Sequence, residues 1–225
     1  MKVLVLRPQP GADETAARAR ALGLDPVVAP LFAVRALAWT PPDPAGFDAV
    51  MLTSASAARQ ASDGLTPFKP LPCYAVGEAT AAAAEEAGFP DIRIGADDGA
   101  ALLMMMAEQG VRRAFHACGE DHLALGHPDI AIERAAVYAA EAADSLPAEA
   151  EAALAEGVVA LLHSPRAARL FAALAGERAG TAIAAISART ARAAGEGWRS
   201  VSIAPRARDQ ALLELAAKLC QTERP

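Results

Sequence analysis

The chain has 225 residues, of which 53% are hydrophobic and 21% charged, with a formal net charge of −6. An apolar fraction this high excludes intrinsic disorder, and the acidic balance argues against a nucleic-acid partner, because duplex binding needs concentrated Lys and Arg. No stretch of 18 apolar residues occurs, so no transmembrane helix is expected. The length suits one large domain or two domains of about 100 residues each.

Short apolar runs alternate with helical segments along the chain. Strands are predicted at residues 2–7, 26–31, 47–53, 72–76 and 91–94, and then at 112–117, 134–139, 158–163, 181–186 and 200–204. Glycines that follow apolar-periodic runs predict helix ends, at Gly23, Gly88, Gly110, Gly157 and Gly176. Buried strands that alternate with helices predict parallel sheets covered on both faces, so the fold class is α/β.

The two halves of the chain resemble each other at a fixed offset of 110 residues. Ser54 aligns with Ser164 and Thr80 with Thr190, and the Ala-Ala-Arg run at 57–59 aligns with 167–169. This self-similarity predicts two similar lobes that arose by internal duplication.

The lobes are predicted to exchange segments. The Pro-rich segment at 40–44 and the segment at 141–147 lie at matching places, after the second strand of each half. We therefore expect a first lobe formed by residues 1–37 and 147–225 and a second formed by 43–140. Linkers at 38–42 and 141–146 would join them and form a hinge, with a cleft between the lobes.

Hydroxyl side chains follow several of the predicted strands. In open parallel sheets, ligands bind beyond the carboxyl ends of the strands, where helix N-termini attract carboxylates and phosphates. Four such junctions are Thr53-Ser54, Gly77 to Thr80, Ser164-Pro165 and Ser187 to Thr190. Each hydroxyl taken singly is equally explained as a helix cap, and it is the set of four that favours an anion-binding site.

One tyrosine and two arginines are further candidates. Tyr138 ends the strand that leads to the second linker, where the repeat places Val28, and a phenol can donate a proton or orient a leaving hydroxyl. The alternative is a strand-end aromatic with its hydroxyl in water. Arg7 follows the first strand and Arg166 lies beside Ser164; either could bind a carboxylate or be a surface cation.

No metal or cofactor motif is present. The group His116, Cys118, Asp121, His122 and His127 matches no zinc spacing, and there is no dinucleotide fingerprint, P-loop or nucleophile elbow. The three cysteines are expected to be reduced, buried thiols of a cytoplasmic protein. We expect no cofactor, no nucleic-acid partner, no membrane association and a monomeric state.

Several segments together resemble the uroporphyrinogen-III synthase family. They are Arg7-Pro8, Thr53-Ser54, YAVGEATAAAAEEAG from Tyr74, Cys118-Gly119, Val137-Tyr138, Ser164-Pro165 and AISARTARAAGEG from Ala185. The resemblance implies a two-lobed, cofactor-independent enzyme that acts on hydroxymethylbilane, a linear tetrapyrrole with eight carboxylates. The implied product is cyclic uroporphyrinogen III, formed with loss of water and inversion of the last pyrrole ring.

The resemblance also implies residue roles. Tyr138 would assist departure of the hydroxyl. The substrate would be bound by Arg7, Thr53, Ser54, Gly77, Thr80, Gly119, Ser164, Arg166 and Thr190.

Departures from the family pattern keep other interpretations open. The segment after Gly119 is short, with Gly126 and Pro128 breaking an expected helix, and His163 stands where the repeat has Thr53. A non-catalytic binding protein for an anionic metabolite and a degenerate copy of the synthase are the alternatives.

Overall fold

The computed structural model describes residues 2–95 and 98–222, which divide into two compact units. One unit consists of the described residues up to Ala33 together with those from Glu141 onward, and the other is Val34–Ala140. The chain therefore leaves the first unit once and returns to it once.

The described residues form strands and helices that alternate along most of the chain. The strands are β1 (Lys2–Val5), β2 (Asp25–Val28), β3 (Phe32–Ala36), β4 (Ala49–Leu52), β5 (Cys73–Val76), β6 (Ile92–Gly95), β7 (Arg113–Gly119), β8 (Ala131–Ala142), β9 (Val159–Leu162), β10 (Ala182–Ala185) and β11 (Ser200–Ile203). The α-helices are α1 (Gly11–Ala21), α2 (Ala55–Gln60), α3 (Ser62–Leu65), α4 (Gly77–Glu86), α5 (Gly99–Glu108), α6 (Ala148–Ala155), α7 (Pro165–Leu174), α8 (Ala188–Ala194) and α9 (Asp209–Thr222). Of these helices, none is both long and apolar enough to span a bilayer.

The sheet of the first unit has the strand order β11-β10-β9-β1-β2, with parallel pairing between neighbours. Val3 and Leu161 belong to a core formed with alanines of α1 and with alanines and leucines of α9. Leu4 and Ala160, which point to the opposite face, are equally buried. Both faces are therefore covered, as is usual for a parallel sheet, and the predicted α/β class is confirmed.

The sheet of the second unit has the order β3-β8-β7-β4-β5-β6. One face packs on an aromatic cluster in which the Phe68 and Phe115 rings are stacked with centroids 4.6 Å apart. The other face packs on α5 through Leu102, Leu103 and Met106. The Ala-rich helices bring little side-chain volume, so these few large side chains fill much of the core.

Strands separated by the 110-residue offset occupy equivalent places in the two sheets. The order β6-β5-β4-β7-β8 in the second unit corresponds to β11-β10-β9-β1-β2 in the first. This common order supports the duplication that the sequence predicts.

The places where the chain changes units differ from those expected. Residues 38–42, expected as a linker, lie inside the second unit, because β3 precedes them and lies beside β8 in its sheet. Leu37 also donates a backbone hydrogen bond to the Val137 carbonyl, at 2.9 Å. Glu141 and Ala142, expected in the second linker, continue β8. The sequence analysis did not predict β3, in which three of the five FAVRA residues are exposed.

The segment after Gly119 contains no helix between residues 120 and 130. A single antiparallel bridge joins His127 and Ile130. Gly126 and Pro128 thus have the expected effect of preventing a helix there.

Replacing Phe115 by Ala should destabilise the protein strongly. Phe115 has no exposed surface, stacks on Phe68 and lies 5.7 Å from the Trp39 ring, so truncation leaves a cavity that small neighbours cannot fill. We expect a loss of about 3–5 kcal/mol in the free energy of unfolding, measured by urea denaturation. Leu123→Ala is the control, because Leu123 is 64% exposed and should cost no more than about 0.5 kcal/mol. Equal losses in the two variants would contradict this packing.

Candidate active site

Three neighbouring strands of the second unit bring Tyr138 to Ser54. β4, β7 and β8 are adjacent, Leu52 pairs with Ala117, and Gly119 pairs with Tyr138. The Tyr138 hydroxyl donates a hydrogen bond to Ser54 Oγ at 3.1 Å. The sequence analysis chose Tyr138 as a possible proton donor and Ser54 as a hydroxyl at a strand end. The structure brings these two side chains into direct contact.

Ser54 has a defined set of hydrogen bonds. It is the N-cap of α2, and its Oγ accepts from the Ser56 backbone N–H at 3.2 Å as well as from Tyr138. A hydroxyl has two acceptor lone pairs and one proton. With both lone pairs used, Ser54 can offer a further partner its proton, which suits a carboxylate.

Gly119 provides the space that the Tyr138 ring occupies. A Cβ at this position would lie 2.8 Å from Tyr138 Cζ and 2.9 Å from its hydroxyl oxygen. A register shift between Cys118 and Gly119 and a 2.8 Å bond from the Glu120 N–H to the Tyr138 carbonyl fix the backbone there. The family resemblance implies that Gly119 binds substrate. In the structure, Gly119 pairs with Tyr138 between β7 and β8.

A buried histidine lies beneath Thr53. The Thr53 hydroxyl is 3.0 Å from His116 Nε2, and His116, in β7, has no exposed surface. Burial lowers the pKa of His116 to about 4, with Arg134 and His122 adding to the effect, so the ring is neutral near pH 7. A neutral imidazole has one donor and one acceptor nitrogen, so its tautomer decides which role the Thr53 hydroxyl plays.

The junction between β5 and α4 is distinguished by its backbone conformation and by the lack of a side-chain cap. Gly77 has φ +70°, a left-handed conformation that favours glycine, and α4 has no side-chain cap at its N-terminus. Backbone N–H groups at an uncapped helix start are suited to binding an anion. Thr80, one turn further, is only 5% exposed.

In the first unit, the helices that follow β9 and β10 both have side-chain caps at their N-termini. Ser164 Oγ accepts from the Ala167 N–H at 3.1 Å, and Ser187 Oγ accepts from the Thr190 N–H at 3.3 Å. The Thr190 hydroxyl lies 3.0 Å from Ser187 Oγ, and Thr190 has no exposed surface. The hydroxyls predicted at Thr80 and Thr190 are therefore inside the fold, while Ser164 is half-buried.

Both predicted arginines are held by neighbours within the first unit. The Arg166 guanidinium carbon lies 4.5 Å from the centre of the Phe32 ring, a cation–π contact. Arg7 Nη1 donates to Thr15 Oγ1 at 3.2 Å and lies 3.8 Å from Asp209 Oδ1. Neither side chain is a freely mobile surface cation.

Sequence reasoning missed Asp209 and gave His163 no role. His163 Nε2 is 2.7 Å from Asp209 Oδ1, although the two residues are 46 positions apart. Burial lowers the pKa of His163, against the raising effect of its bond to Asp209. Burial alone would raise the pKa of Asp209, but hydrogen bonds from His163 and Thr15 and the charge of Arg18 lower it below its usual range. The pair is therefore a carboxylate and a neutral imidazole.

The histidine and cysteine group considered for a metal does not form a site. Among the described residues, no three His, Cys, Asp or Glu side chains are placed to hold an ion. Cys73, Cys118 and Cys220 are buried thiols, and burial raises the pKa of the Cys73 thiol to about 12. The Cys73 thiol is therefore not ionised near neutral pH, which makes it a poor nucleophile.

The described residues form a two-unit α/β protein in which hydroxyl and arginine side chains follow the ends of several parallel strands. A sequence model described as uroporphyrinogen-III synthase HemD matches residues 13–214. The chain belongs to the uroporphyrinogen-III synthase family.

Solved structures of similar fold carry the same family name. One is uroporphyrinogen-III synthetase from Helicobacter pylori 26695, with a TM-score of 0.69, 18% identity and coverage of 97% of this chain and 98% of that one. Another is a mutant uroporphyrinogen III synthase from the extremely thermophilic bacterium Thermus thermophilus, with a TM-score of 0.58, 18% identity and coverage of 99% and 100%. No curated protein matches the sequence significantly. At this identity the structural likeness concerns the fold, and the family assignment rests on the sequence match.

His116 should make the protein sensitive to mild acid. The unfolded chain binds the imidazole proton near pH 6.5 and the folded one only near pH 4, so the unfolded state holds more protons between these values. The free energy of unfolding should therefore fall as pH drops from 7 to 4.5. We expect wild type to lose about 2–3 kcal/mol more over this range than His116→Gln, which keeps an amide near Thr53. Identical pH dependence of urea unfolding in both proteins would contradict the neutral, buried state of His116.

Proposed function

We propose that this chain closes hydroxymethylbilane to uroporphyrinogen III, with Tyr138 assisting departure of the terminal hydroxyl. The function follows from membership of the uroporphyrinogen-III synthase family, an assignment made over residues 13–214. The contact between Tyr138 and Ser54 is the observation that supports the residue roles.

The reaction begins with cleavage of the bond between the hydroxymethyl carbon and its oxygen. The Tyr138 phenol donates a hydrogen bond or its proton to the leaving oxygen, which departs as water. The pyrrole nitrogen supplies the electron pair, giving an azafulvene-like cation. Ser54 and the space left by Gly119 hold the phenol in one orientation for this step.

Ring inversion follows from where the cation forms its next bond. Attack by the substituted carbon of the last ring gives a spiro-pyrrolenine, which fragments and recloses at the other α-carbon. The proton lost from that carbon balances the one that left with water. These steps need an ordered substrate more than a strong acid or base, so we assign most of the catalysis to positioning.

The substrate's carboxylates require several separate binding groups. We propose Arg7 and Arg166 as charged partners and the hydroxyls of Thr53, Ser54 and Ser164 as hydrogen-bond donors. The uncapped N–H groups at the start of α4, which depend on the left-handed backbone of Gly77, would bind another carboxylate. Thr80 and Thr190 would contribute from inside the fold by fixing the first turns of α4 and α8.

This distribution of binding groups suits a chain with a net charge of −6. Helix N-termini and hydroxyls attract carboxylates without adding formal charge, and two oriented arginines supply the rest. We also infer that the protein acts in the cytoplasm, which its buried cysteine thiols suit. Light scattering after size exclusion would test the expected monomer.

Tyr138→Phe should slow formation of the type III isomer. Hydroxymethylbilane is generated in situ, and the oxidised uroporphyrin isomers are separated by chromatography. Wild type should divert product from type I to type III, and the variant should lower kcat about 10- to 100-fold because the donor to the leaving oxygen is lost.

Tyr74→Phe is the matched control for that assay. Tyr74 is fully buried, and its hydroxyl contacts Gln109 and Arg93, so its loss should leave kcat unchanged. Type I product at every wild-type enzyme concentration would contradict the function. A Tyr138→Phe variant as fast as wild type would contradict only the role of Tyr138.

Gly119→Ala should reproduce the effect of Tyr138→Phe with the phenol still present. The new methyl group would lie within 3 Å of the Tyr138 ring and displace it from Ser54. We expect a fall in kcat of about tenfold, as expected when a proton donor is misplaced. Gly126→Ala is the control, since a Cβ there meets nothing within 4 Å. Equal kcat in both variants would show that the ring's position does not matter.

A further inference from the structure

Asp209 is the centre of a hydrogen-bonded cluster in the first unit. Its Oδ1 accepts from Thr15 Oγ1 at 2.9 Å and from His163 Nε2 at 2.7 Å, and its Oδ2 accepts from Arg18 Nε at 2.8 Å. The side chain is 16% exposed. Arg7 joins the cluster through Thr15.

The charge of Asp209 fixes the direction of every bond in the cluster. An ionised carboxylate only accepts hydrogen bonds, so Thr15 must donate its single hydroxyl proton to it. The Thr15 oxygen is then an acceptor, and it receives the N–H from Arg7 Nη1 at 3.2 Å. The result is a chain of donors running from Arg7 through Thr15 to Asp209, in which each bond strengthens the next.

The Asp209 carboxylate also determines which ring nitrogen of His163 carries the proton. Its Nε2 carries the proton that Asp209 accepts, so the neutral ring is held as a single tautomer. His163 stands where the repeat has Thr53, and here its Nε2 binds Asp209. Of the two arginines in the cluster, Arg18 is bonded directly to Asp209 and lies 3.8 Å from Glu14, whereas Arg7 lies 3.8 Å from the Asp209 carboxylate. Arg7 is therefore the arginine that we assign to a substrate carboxylate.

Gly11 makes room for the Arg7 guanidinium. A Cβ at Gly11 would lie 2.7 Å from Arg7 Nε and 2.8 Å from Cζ. Gly11 begins α1, and its φ is not positive, so backbone conformation does not explain a glycine here. Thr15, one turn later on the same helix, holds one edge of the group.

We propose that Asp209, Thr15 and Gly11 are positioning residues that hold the Arg7 guanidinium ready for a carboxylate of the tetrapyrrole. The proposal rests on the proposed function, which gives Arg7 its ligand. A guanidinium ordered before the substrate arrives loses less conformational entropy on binding it. The loss of this order should therefore raise KM and leave kcat unchanged.

The test compares KM and kcat of Thr15→Val and Gly11→Ala with wild type. Thr15→Val keeps the shape of a fully buried side chain and removes the link between Arg7 and Asp209. We expect each variant to raise KM for hydroxymethylbilane about three- to tenfold, the effect of one lost hydrogen bond. Thr15→Ser, which retains the hydroxyl, should restore KM to within about twofold of wild type.

Thr181→Val is the matched control for a buried threonine in the same unit. Thr181 has no exposed surface, and its hydroxyl has no hydrogen-bond partner in the described part of the chain. Its KM should equal that of wild type. Thermal unfolding of all the variants separates a change in stability from a change in binding.

The deciding measurement repeats Thr15→Val and Gly11→Ala in an Arg7→Met background. If Thr15 and Gly11 act through Arg7, neither change should raise KM further there. The same fold-change in both backgrounds, or an unchanged KM for Thr15→Val where Arg7→Met raises it, would overturn the proposal. An unchanged KM in Arg7→Met would remove Arg7 as a ligand and overturn it too. Type III product from wild type tests the synthase function independently of these results.

Discussion

Parallel strands end at a common edge of their sheet, and the chemistry that we propose for this protein depends on that geometry. In the second unit it brings Ser54, which follows β4, within hydrogen-bonding distance of Tyr138 on β8, two strands away. In the first unit it places Arg7, after β1, and His163, after β9, around one carboxylate. Residues distant in sequence thus meet without long loops, and each is held by the sheet that positions it.

Each unit has a buried, neutral histidine that contacts a residue near the carboxyl ends of its parallel strands. His116 contacts the Thr53 hydroxyl in one, and His163 contacts Asp209 in the other. Burial is the main cause of the lowered pKa of both rings. Neither histidine adds positive charge, so the proposed binding of a polycarboxylate relies on arginines, hydroxyls and helix N-termini. Binding by orientation of this kind would suit a reaction whose outcome depends on which carbon attacks.

The sequence predicted the strands and the edge residues because their signals are local. Apolar runs marked the strands later found as β1, β4, β5 and β9, and Ser-Pro at 164–165 marked the start of α7. β3 was missed because its apolar run is short and is followed by Arg35, and three of its five residues are exposed. Asp209 was missed because its role comes from folding 46 residues of chain back onto His163. Thr15 looked like an ordinary helix residue, and nothing local revealed its contact with Arg7.

The chain has two tyrosines, which permits a direct test of the claim that Tyr138 lies at the substrate. Protein labelled with ¹³C at the tyrosine Cζ should give two NMR signals. Tyr74 is fully buried and bonded to Gln109, and serves as an internal reference. Titration with uroporphyrinogen III should shift the Tyr138 signal and leave that of Tyr74 in place. Saturated binding with an unmoved Tyr138 signal would contradict the account.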